Sequence, residues 1–297
     1  MKPVTSGQDL LYVADQATQD VDVFSYPQGQ LVGTLTGFNH PTGECVDSRG
    51  DIFIVSQENT SSYFSSAIYE YAHGGTTPMA TLTDSSRGEG CAVDFKAGTL
   101  AVSGAYFSKP YAYGAVAIFK KAKGDAKMYE SKTLPSFWLC GFDPHGNLYI
   151  SADSNASGEQ QLIRLAKGSS DFDEVTIDSP MYADATFPPS VQWDGKYMTV
   201  SSANANLGSG RYQPSYVYRL KIAGSTATTV SSTTYTGRRK IMTGQVLTDG
   251  NHLIASHYHA GGGVDYWSYP NAGKAKTLIP TASGVAPFGI VVSHDSR

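Results

Sequence analysis

The chain has 297 residues, a length that suits one large all-β domain or two domains of average size. Charged residues make up 16% of it and the formal net charge is −4, which argues against a nucleic-acid binder that works through a general basic field. No apolar stretch approaches the roughly 18 residues that a membrane-spanning helix needs, so no membrane span is expected.

A repeated unit of about 49 residues runs through the whole chain. It begins with a short apolar segment that ends in Asp, Thr or Ser. The abundance of Gly (31) and Tyr (19) favours short strands joined by tight turns. The six copies of the apolar segment are 43–47, 90–94, 139–143, 190–194, 244–248 and 289–293.

Each of the first five segments is followed by a Gly, Asp or Asn turn, an apolar strand, an alternating strand and a more polar strand. The sixth copy lies at the C-terminus, and its missing strands are found at the N-terminus, in 10–15, 21–24 and 31–35. The sequence therefore predicts one all-β domain over 1–297, a six-bladed β-propeller with four antiparallel strands per blade, closed by the C-terminal innermost strand joining the N-terminal strands. The predicted blades are 41–84, 88–133, 136–178, 187–236, 240–281, and 285–297 together with 9–37.

Two segments carry the repeat best, Pro41-Thr42-Gly43-Glu44-Cys45-Val46-Asp47 and Gly146-Asn147-Leu148-Tyr149-Ile150-Ser151-Ala152-Asp153. The pattern resembles the NHL-type repeat over the whole chain. That resemblance implies the propeller architecture. It does not select a function, because members of that superfamily include binding modules, lactonases and lyases.

The three cysteines, Cys45, Cys91 and Cys140, all fall on predicted innermost strands. Cys91 and Cys140 share one position in the repeat, whereas Cys45 is shifted by one, which reverses the face on a strand. Cys45 can thus point at the next blade while Cys91 points back. We expect a Cys45–Cys91 disulfide with Cys140 free; buried free thiols at all three positions are the alternative.

Ligands of propellers usually bind at the mouth of the central channel, which the segments before the innermost strands form. These segments mix aromatic and charged side chains, as binding pockets do. A positive cluster there suits a carboxylate or phosphate, with a solvated loop as the alternative. Aromatic loops between the second and third strands can stack on sugars or peptides, or pack on neighbouring blades. The candidate ligand-binding residues are His40, Arg87, Glu89, Trp138, Arg238, Arg239, Phe288, Tyr106 and Tyr258.

Metal ligation is the alternative use of several acidic and histidine side chains. His257 and His259 are spaced to face one side of a strand, with Asp265 on the following strand. Glu44 and Glu89 lie in or beside innermost strands, where a carboxylate pair can bind a cation or act as acid and base. None of these sets is a complete metal site. The sequence predicts no cofactor, and a divalent cation in the central channel is the alternative.

A calcium-dependent lactonase propeller is the relevant comparison for that alternative. The resemblance would imply a Glu with several Asn and Asp converging on the channel axis. This sequence offers Glu89 and Asn39 at the mouth, whereas Trp138, Pro189 and Phe288 occupy other blades.

The leading functional hypothesis is an exported, bacterial-type binding propeller that recognises a small molecule, glycan or peptide at the channel mouth. A metal-dependent hydrolase or lyase that uses Glu89, His40 and Glu44 is one alternative, and a structural propeller in a surface assembly is another. We expect a monomer without a nucleic-acid partner. We expect secretion or a periplasmic location, with Met1 in place of a removed export signal, and the cytoplasm stays an open alternative.

Overall fold

The computed structural model describes residues 7–59, 64–108, 111–154, 160–178, 189–202, 215–235, 243–257, 262–271, 273, 275–280 and 286–295. The fold is all-β and propeller-like, and within this part of the chain the one helical segment is a short 3₁₀ turn, Lys120–Ala122. None of the described segments is a helix that could cross a membrane.

The strands in chain order are β1 (Leu10–Asp15), β2 (Asp20–Ser25), β3 (Leu31–Leu35), β4 (Pro41–Val46), β5 (Ile52–Asn59), β6 (Phe64–Tyr71), β7 (Ala80–Asp84), β8 (Arg87–Asp94), β9 (Thr99–Ser108), β10 (Tyr111–Phe119), β11 (Lys127–Glu130), β12 (Phe137–Phe142), β13 (Leu148–Asp153), β14 (Gln160–Leu165), β15 (Phe172–Ile177), β16 (Val191–Trp193), β17 (Met198–Ser202), β18 (Ser215–Ala223), β19 (Thr226–Tyr235), β20 (Thr243–Asp249), β21 (His252–His257), β22 (Val264–Ser268), β23 (Lys276–Ile279) and β24 (Pro287–Ser293).

The described strands form four sheets of four strands and one sheet of eight. The four-stranded sheets are β4–β7, β8–β11, β20–β23, and β24 with β1–β3. The eight-stranded sheet consists of two runs, β12–β15 and β16–β19, where separate blades were expected. The runs join because Thr176 and Ile177 pair in parallel with Thr226 and Ala227 at the start of β19. The Thr176 amide also donates to the carbonyl of Ser225 in the turn before β19, at 2.9 Å.

The C-terminal strand completes the N-terminal sheet, as the two ends of the sequence predict. β24 pairs antiparallel with β1, so that Leu10 lies opposite Ser293 and Tyr12 opposite Val291. This pairing leaves neither terminus of the repeat array with an unpaired innermost strand.

Side chains near the termini fasten this closure. His294 Nδ1 lies 2.9 Å from Asp9 Oδ2, and its Nε2 lies 2.8 Å from Asp249 Oδ1 in the turn after β20. His73 bridges the closing strand from another side, through Ser293 Oγ at 2.7 Å and the Gln8 carbonyl at 3.0 Å. His294, which its turn position marks as a surface residue, thus links three separate chain segments.

The His294 contacts predict a pH-dependent contribution to stability. The hydrogen bond to Asp249 raises the pKa of His294 to about 9, with a further contribution from Asp9, although burial acts in the opposite direction. Because the folded-state pKa is raised, the stabilisation is fully present below about pH 6.5 and is lost as the pH rises through about 9. The side chain is 54% exposed, so we expect less than about 1 kcal/mol. Urea unfolding of wild type and His294→Gln should differ at pH 6 and converge by pH 10; a constant difference would contradict this assignment.

The apolar core lies between neighbouring sheets. The described residues contain six buried clusters, and each joins one four-stranded run to the next, including the step from β20–β23 to the closing sheet. Phe53 and Phe119 belong to the cluster between β4–β7 and β8–β11. Tyr235 and Trp267 belong to the cluster between β16–β19 and β20–β23. The six interfaces connect the runs in a closed ring.

A disulfide joins two neighbouring innermost strands, β4 and β8. Cys45 and Cys91 are bonded, with their Cα atoms 5.6 Å apart, and Cys140 is free and buried. This pairing matches the prediction from the one-residue shift between the two cysteine positions, because alternate residues of a strand face opposite sides.

Candidate functional site

The first strands of the six runs surround a central channel. We call the end at which β4, β8, β12, β16, β20 and β24 begin the mouth, and the opposite end the base. Four residues mark one level near the mouth. The carbonyl oxygen of each lies close to the place that a Cβ would take on a glycine of the preceding innermost strand. The pairs are Glu89 with Gly43, Trp138 with Gly90, Phe288 with Gly244, and Thr42 with Gly289. In the sequence each of these four residues directly precedes one of the repeated apolar segments.

A cluster of polar side chains lies at the mouth on β5 and β8. Arg87 Nε donates to Gln57 Oε1 at 3.1 Å and lies 3.2 Å from Glu89 Oε1. Gln57 Nε2 donates in turn to the Gly88 carbonyl at 2.9 Å. The Glu89 side chain is 7% exposed and that of Arg87 38% exposed, so one partner of the ion pair is buried and the other reaches solvent.

Burial decides the protonation of this cluster. It raises the pKa of Glu89 to about 7, although Arg87 and a hydrogen bond with Gln57 act in the opposite direction. Burial also lowers the pKa of His40, and the positive charge of Arg87 lowers it further. A carboxyl that can gain or lose a proton near neutral pH therefore lies beside a cation.

Trp138 and Phe288 supply the aromatic part of the mouth, and both are half-buried. The indole Nε1 of Trp138 is itself shielded from solvent and has no hydrogen-bond partner in the structure. A buried N–H without an acceptor costs free energy.

The remaining predicted ligand-binding residues divide into two groups. Tyr106 lies on β9, opposite Tyr113 of β10, in a long hairpin rather than in a loop, and is half-buried. Arg238, Arg239 and Tyr258 lie outside the described residues. The structure therefore brings together His40, Arg87 and Glu89, with Trp138 and Phe288 at the same level of the channel.

The alternative metal ligands do not converge in the described part of the chain. His257 is buried and its Nε2 lies 3.1 Å from Asp265 Oδ2, so these two predicted partners do meet. His259 lies outside the described residues. Among the residues that the structure describes, no group of three or more His, Cys, Asp and Glu side chains is arranged to hold a metal ion.

Glu44 lies apart from the mouth cluster, in the wall of a second feature. A cavity of about 500 Å³ occupies the base half of the channel. Parts of all six innermost strands and several of the turns that follow them form its wall. Glu44 reaches this cavity, whereas His40, Arg87 and Glu89 do not line it.

Two glutamines tie neighbouring innermost strands together in the channel. Gln192 donates to the Thr248 carbonyl and accepts from the Thr248 amide, both at 2.8 Å. Gln245 accepts from the Ile290 amide at 3.2 Å and donates to the Glu44 carbonyl at 3.3 Å. The amide groups of both glutamines are therefore used by the backbone.

The sequence reasoning missed a recurring serine, although its signal was present. A buried serine follows the apolar part of the second strand in five of the six runs: Ser56, Ser103, Ser151, Ser201 and Ser256. Ser103 donates to the Trp138 carbonyl, and Ser256 donates to the Phe288 carbonyl at 2.9 Å. Ser103 and Ser256 lie where the pairing of the first and second strands shifts register, so they hold the irregular backbone that carries the mouth residues.

No family model and no curated protein matches this chain. Solved structures do resemble it. A protein of unknown function from Bacteroides caccae is 11% identical, over 97% of this chain and 99% of its own, with a TM-score of 0.62. A candidate 6-phosphogluconolactonase from Bacteroides fragilis is 11% identical, over 98% and 99%, with a TM-score of 0.55. Hydrazine synthase from Kuenenia stuttgartiensis is 12% identical, over 90% and 78%, with a TM-score of 0.55. At such identities the likeness shows the fold alone, and this chain has the all-β, propeller-like fold of these proteins.

Proposed function

We propose that this chain is a six-bladed, NHL-like propeller that binds a small molecule or a glycan unit at the mouth of its central channel. Six apolar clusters, one between each two successive four-stranded runs, support a count of six blades. The pairing that joins β15 to β19 involves two residues of each strand, so the eight-stranded sheet divides into two blades at this short contact. Fold alone does not select a ligand, so the function is argued from the mouth.

The Arg87 guanidinium carries the proposal, because its side chain is 38% exposed at the mouth while its partner Glu89 is buried. Its N–H groups can donate to a carboxylate, and the half-buried Trp138 and Phe288 rings can stack on a sugar face. This combination suits a ligand with acceptor oxygens, such as a sugar acid.

The test compares binding of gluconate, glucuronate and glucose to wild type and to Arg87→Gln by calorimetry. Gln removes the positive charge and the guanidinium donors, so we expect sugar-acid affinity to fall about tenfold. Arg164→Gln on β14, where the arginine pairs with Asp173, is the matched control and should bind as wild type does. Equal affinity of the wild type and Arg87→Gln for every sugar acid that binds would contradict the proposed contact, and so would a lack of binding by all three probes.

A second candidate function is hydrolysis of a lactone at the same mouth. It is favoured by the pKa of Glu89, about 7, which suits a general acid or base at neutral pH. The candidate lactonase among the similar structures supports testing it. If gluconolactone is hydrolysed above the buffer rate and Glu89→Gln lowers that rate about a hundredfold, the chain is an enzyme. Elemental analysis separates a metal-dependent version, which requires a stoichiometric divalent ion that Glu89→Gln loses.

We further propose that the protein is exported. The Cys45–Cys91 disulfide supports this, because such bonds persist in oxidising compartments and are rare in the cytoplasm of most organisms. Thiol titration of protein isolated from the native cell tests it. One reactive thiol per unfolded chain fits export, whereas three would place the protein in a reducing compartment.

A further inference from the structure

The cavity in the base half of the channel is distinct from the mouth site. Its volume of about 500 Å³ is within the range of small-molecule pockets. All six innermost strands and several of the turns that follow them form its wall. Because His40, Arg87 and Glu89 do not line it, a ligand in this cavity would not use the mouth residues.

An apolar side chain from every innermost strand lines this cavity. These side chains share one position, the fourth residue of each repeated apolar segment: Val46, Val93, Phe142, Trp193, Leu247 and Val292. Packing between the sheets buries Val93 and Val292, whereas the other four are only half-buried. The four half-buried side chains pack at the margins of the apolar clusters, so part of their apolar surface stays open to the channel.

The polar side chains of the wall offer little to a polar ligand. Ser190 Oγ accepts from a backbone amide at 2.7 Å, and Gln192 and Gln245 each bond to the backbone through both their oxygen and their nitrogen. The carboxyl oxygens of Glu44 and the hydroxyl group of Thr248 are buried within the strands and cannot reach a molecule in the cavity. A ligand that needs hydrogen bonds would lose those that water provides and gain few in return.

The charged groups at the opening of the cavity are engaged within the protein. Asp94, Asp143 and Asp194 each accept from a backbone amide of the turn that follows, at 2.9 Å. The fourth aspartate of the opening, Asp249, lies 2.8 Å from His294 Nε2. An anionic ligand would meet four carboxylates, and a cationic ligand would find them already hydrogen-bonded. The opening therefore favours a ligand without charge.

Phe95 adds an apolar surface at the same opening. It lines the cavity and is 61% exposed, although it is a large apolar residue. The neighbouring cation, Lys96, donates to the Pro144 carbonyl at 2.7 Å. An exposed ring at the edge of an apolar cavity can cover a bound molecule and lose its own contact with water.

We propose that the base half of the channel is a second binding site, specific for an uncharged apolar small molecule. Binding removes the four half-buried side chains of the wall from water, and it does not strip water from a charged group of the ligand. The site differs from the mouth both in its residues and in the chemistry of its ligand, because the mouth is proposed to hold a carboxylate.

Two fluorescent probes with the same ring system test the proposal on the full chain. N-phenylnaphthylamine is uncharged, and anilinonaphthalene sulfonate carries an added sulfonate. Fluorescence titration measures their affinities for wild type, Leu247→Glu and Leu31→Glu. We expect wild type to bind the uncharged probe about tenfold more tightly than the sulfonate. Leu247→Glu puts a charge into the apolar wall and should weaken the uncharged probe about tenfold. Leu31→Glu, on β3 where Leu31 is 51% exposed, is the matched control and should bind as wild type does.

Several outcomes would overturn the proposal. They are an absence of binding by the uncharged probe, equal affinity for the sulfonate, equal affinity of Leu247→Glu and Leu31→Glu, or loss of binding in Arg87→Gln, which would place the probe at the mouth. Val46→Trp is a second variant in case Leu247→Glu does not fold. It fills part of the cavity with apolar atoms and should weaken the uncharged probe about tenfold. Unchanged affinity in Val46→Trp would equally contradict a site in the base half of the channel.

Discussion

Replacing Gly289 with Ala is expected to lower the free energy of unfolding by about 3 kcal/mol or more, one of the two largest effects predicted for this chain. A Cβ at this position would lie 2.0 Å from the carbonyl oxygen of Thr42 on the next innermost strand. The colliding atom belongs to the backbone, so no side-chain rotation can relieve it. Either β24 or β4 must move, and both are fixed by their own sheets.

Equilibrium urea unfolding of wild type and Gly289→Ala measures this effect. Gly168→Asn is the control, because that glycine lies in a turn where an added Cβ meets nothing within 4 Å and where its positive φ of +83° is one that Asn tolerates. The control should unfold within about 1 kcal/mol of wild type. Equal stability of Gly289→Ala and wild type would show that the two innermost strands do not approach as closely as described.

The glycine result illustrates how far the repeat alone could lead. Gly43, Gly90, Gly244 and Gly289 begin four of the six repeated segments, which the sequence pattern alone aligns. It did not reveal why glycine is required, since the collision partner of each glycine belongs to another unit of the chain. The periodic sequence pattern reflects the residue types that each strand requires within its own sheet. The contacts between sheets are not periodic along the sequence.

The same limit explains which part of the candidate site was predictable. Glu89, Trp138 and Phe288 each directly precede a repeated apolar segment, and their carbonyls lie at one level of the channel. The Arg87–Gln57 hydrogen bond was not foreseen, because Gln57 lies on the second strand of the preceding unit. Its side chain reaches the mouth only through the packing of β5 against β8.

The base cavity escaped prediction for a different reason. Its wall consists of ordinary core residues such as Val46, Val191 and Val291, and a void between strands leaves no pattern in their sequence. One signal was present, namely Glu44 within an otherwise apolar innermost strand. The sequence analysis proposed Glu44 as a metal ligand or a base. In the structure its carboxyl group has no hydrogen-bond partner. Among the described residues it belongs to no group of three or more His, Cys, Asp and Glu side chains that could hold a metal ion.

Loss of the Cys45–Cys91 disulfide is expected to lower the free energy of unfolding by about 4 kcal/mol. The bond closes a loop between residues 46 positions apart, and the chain-entropy relation gives this magnitude for a loop of that length. The cross-link also holds β4 against β8, the two innermost strands that carry Glu44 and Glu89. The double variant Cys45→Ala with Cys91→Ala, compared with wild type by urea unfolding under non-reducing conditions, measures the effect.

Cys140→Ala is the matched control for the buried sulfur, because Cys140 occupies the same repeat position as Cys91 and carries a free thiol. It should cost about 1 kcal/mol, the amount expected for a small buried group. Reductant should destabilise wild type and Cys140→Ala equally and leave the double variant unchanged. If the double variant is as stable as wild type, the six interfaces between sheets hold the ring without the cross-link, and the bond then bears on the cellular compartment and not on folding.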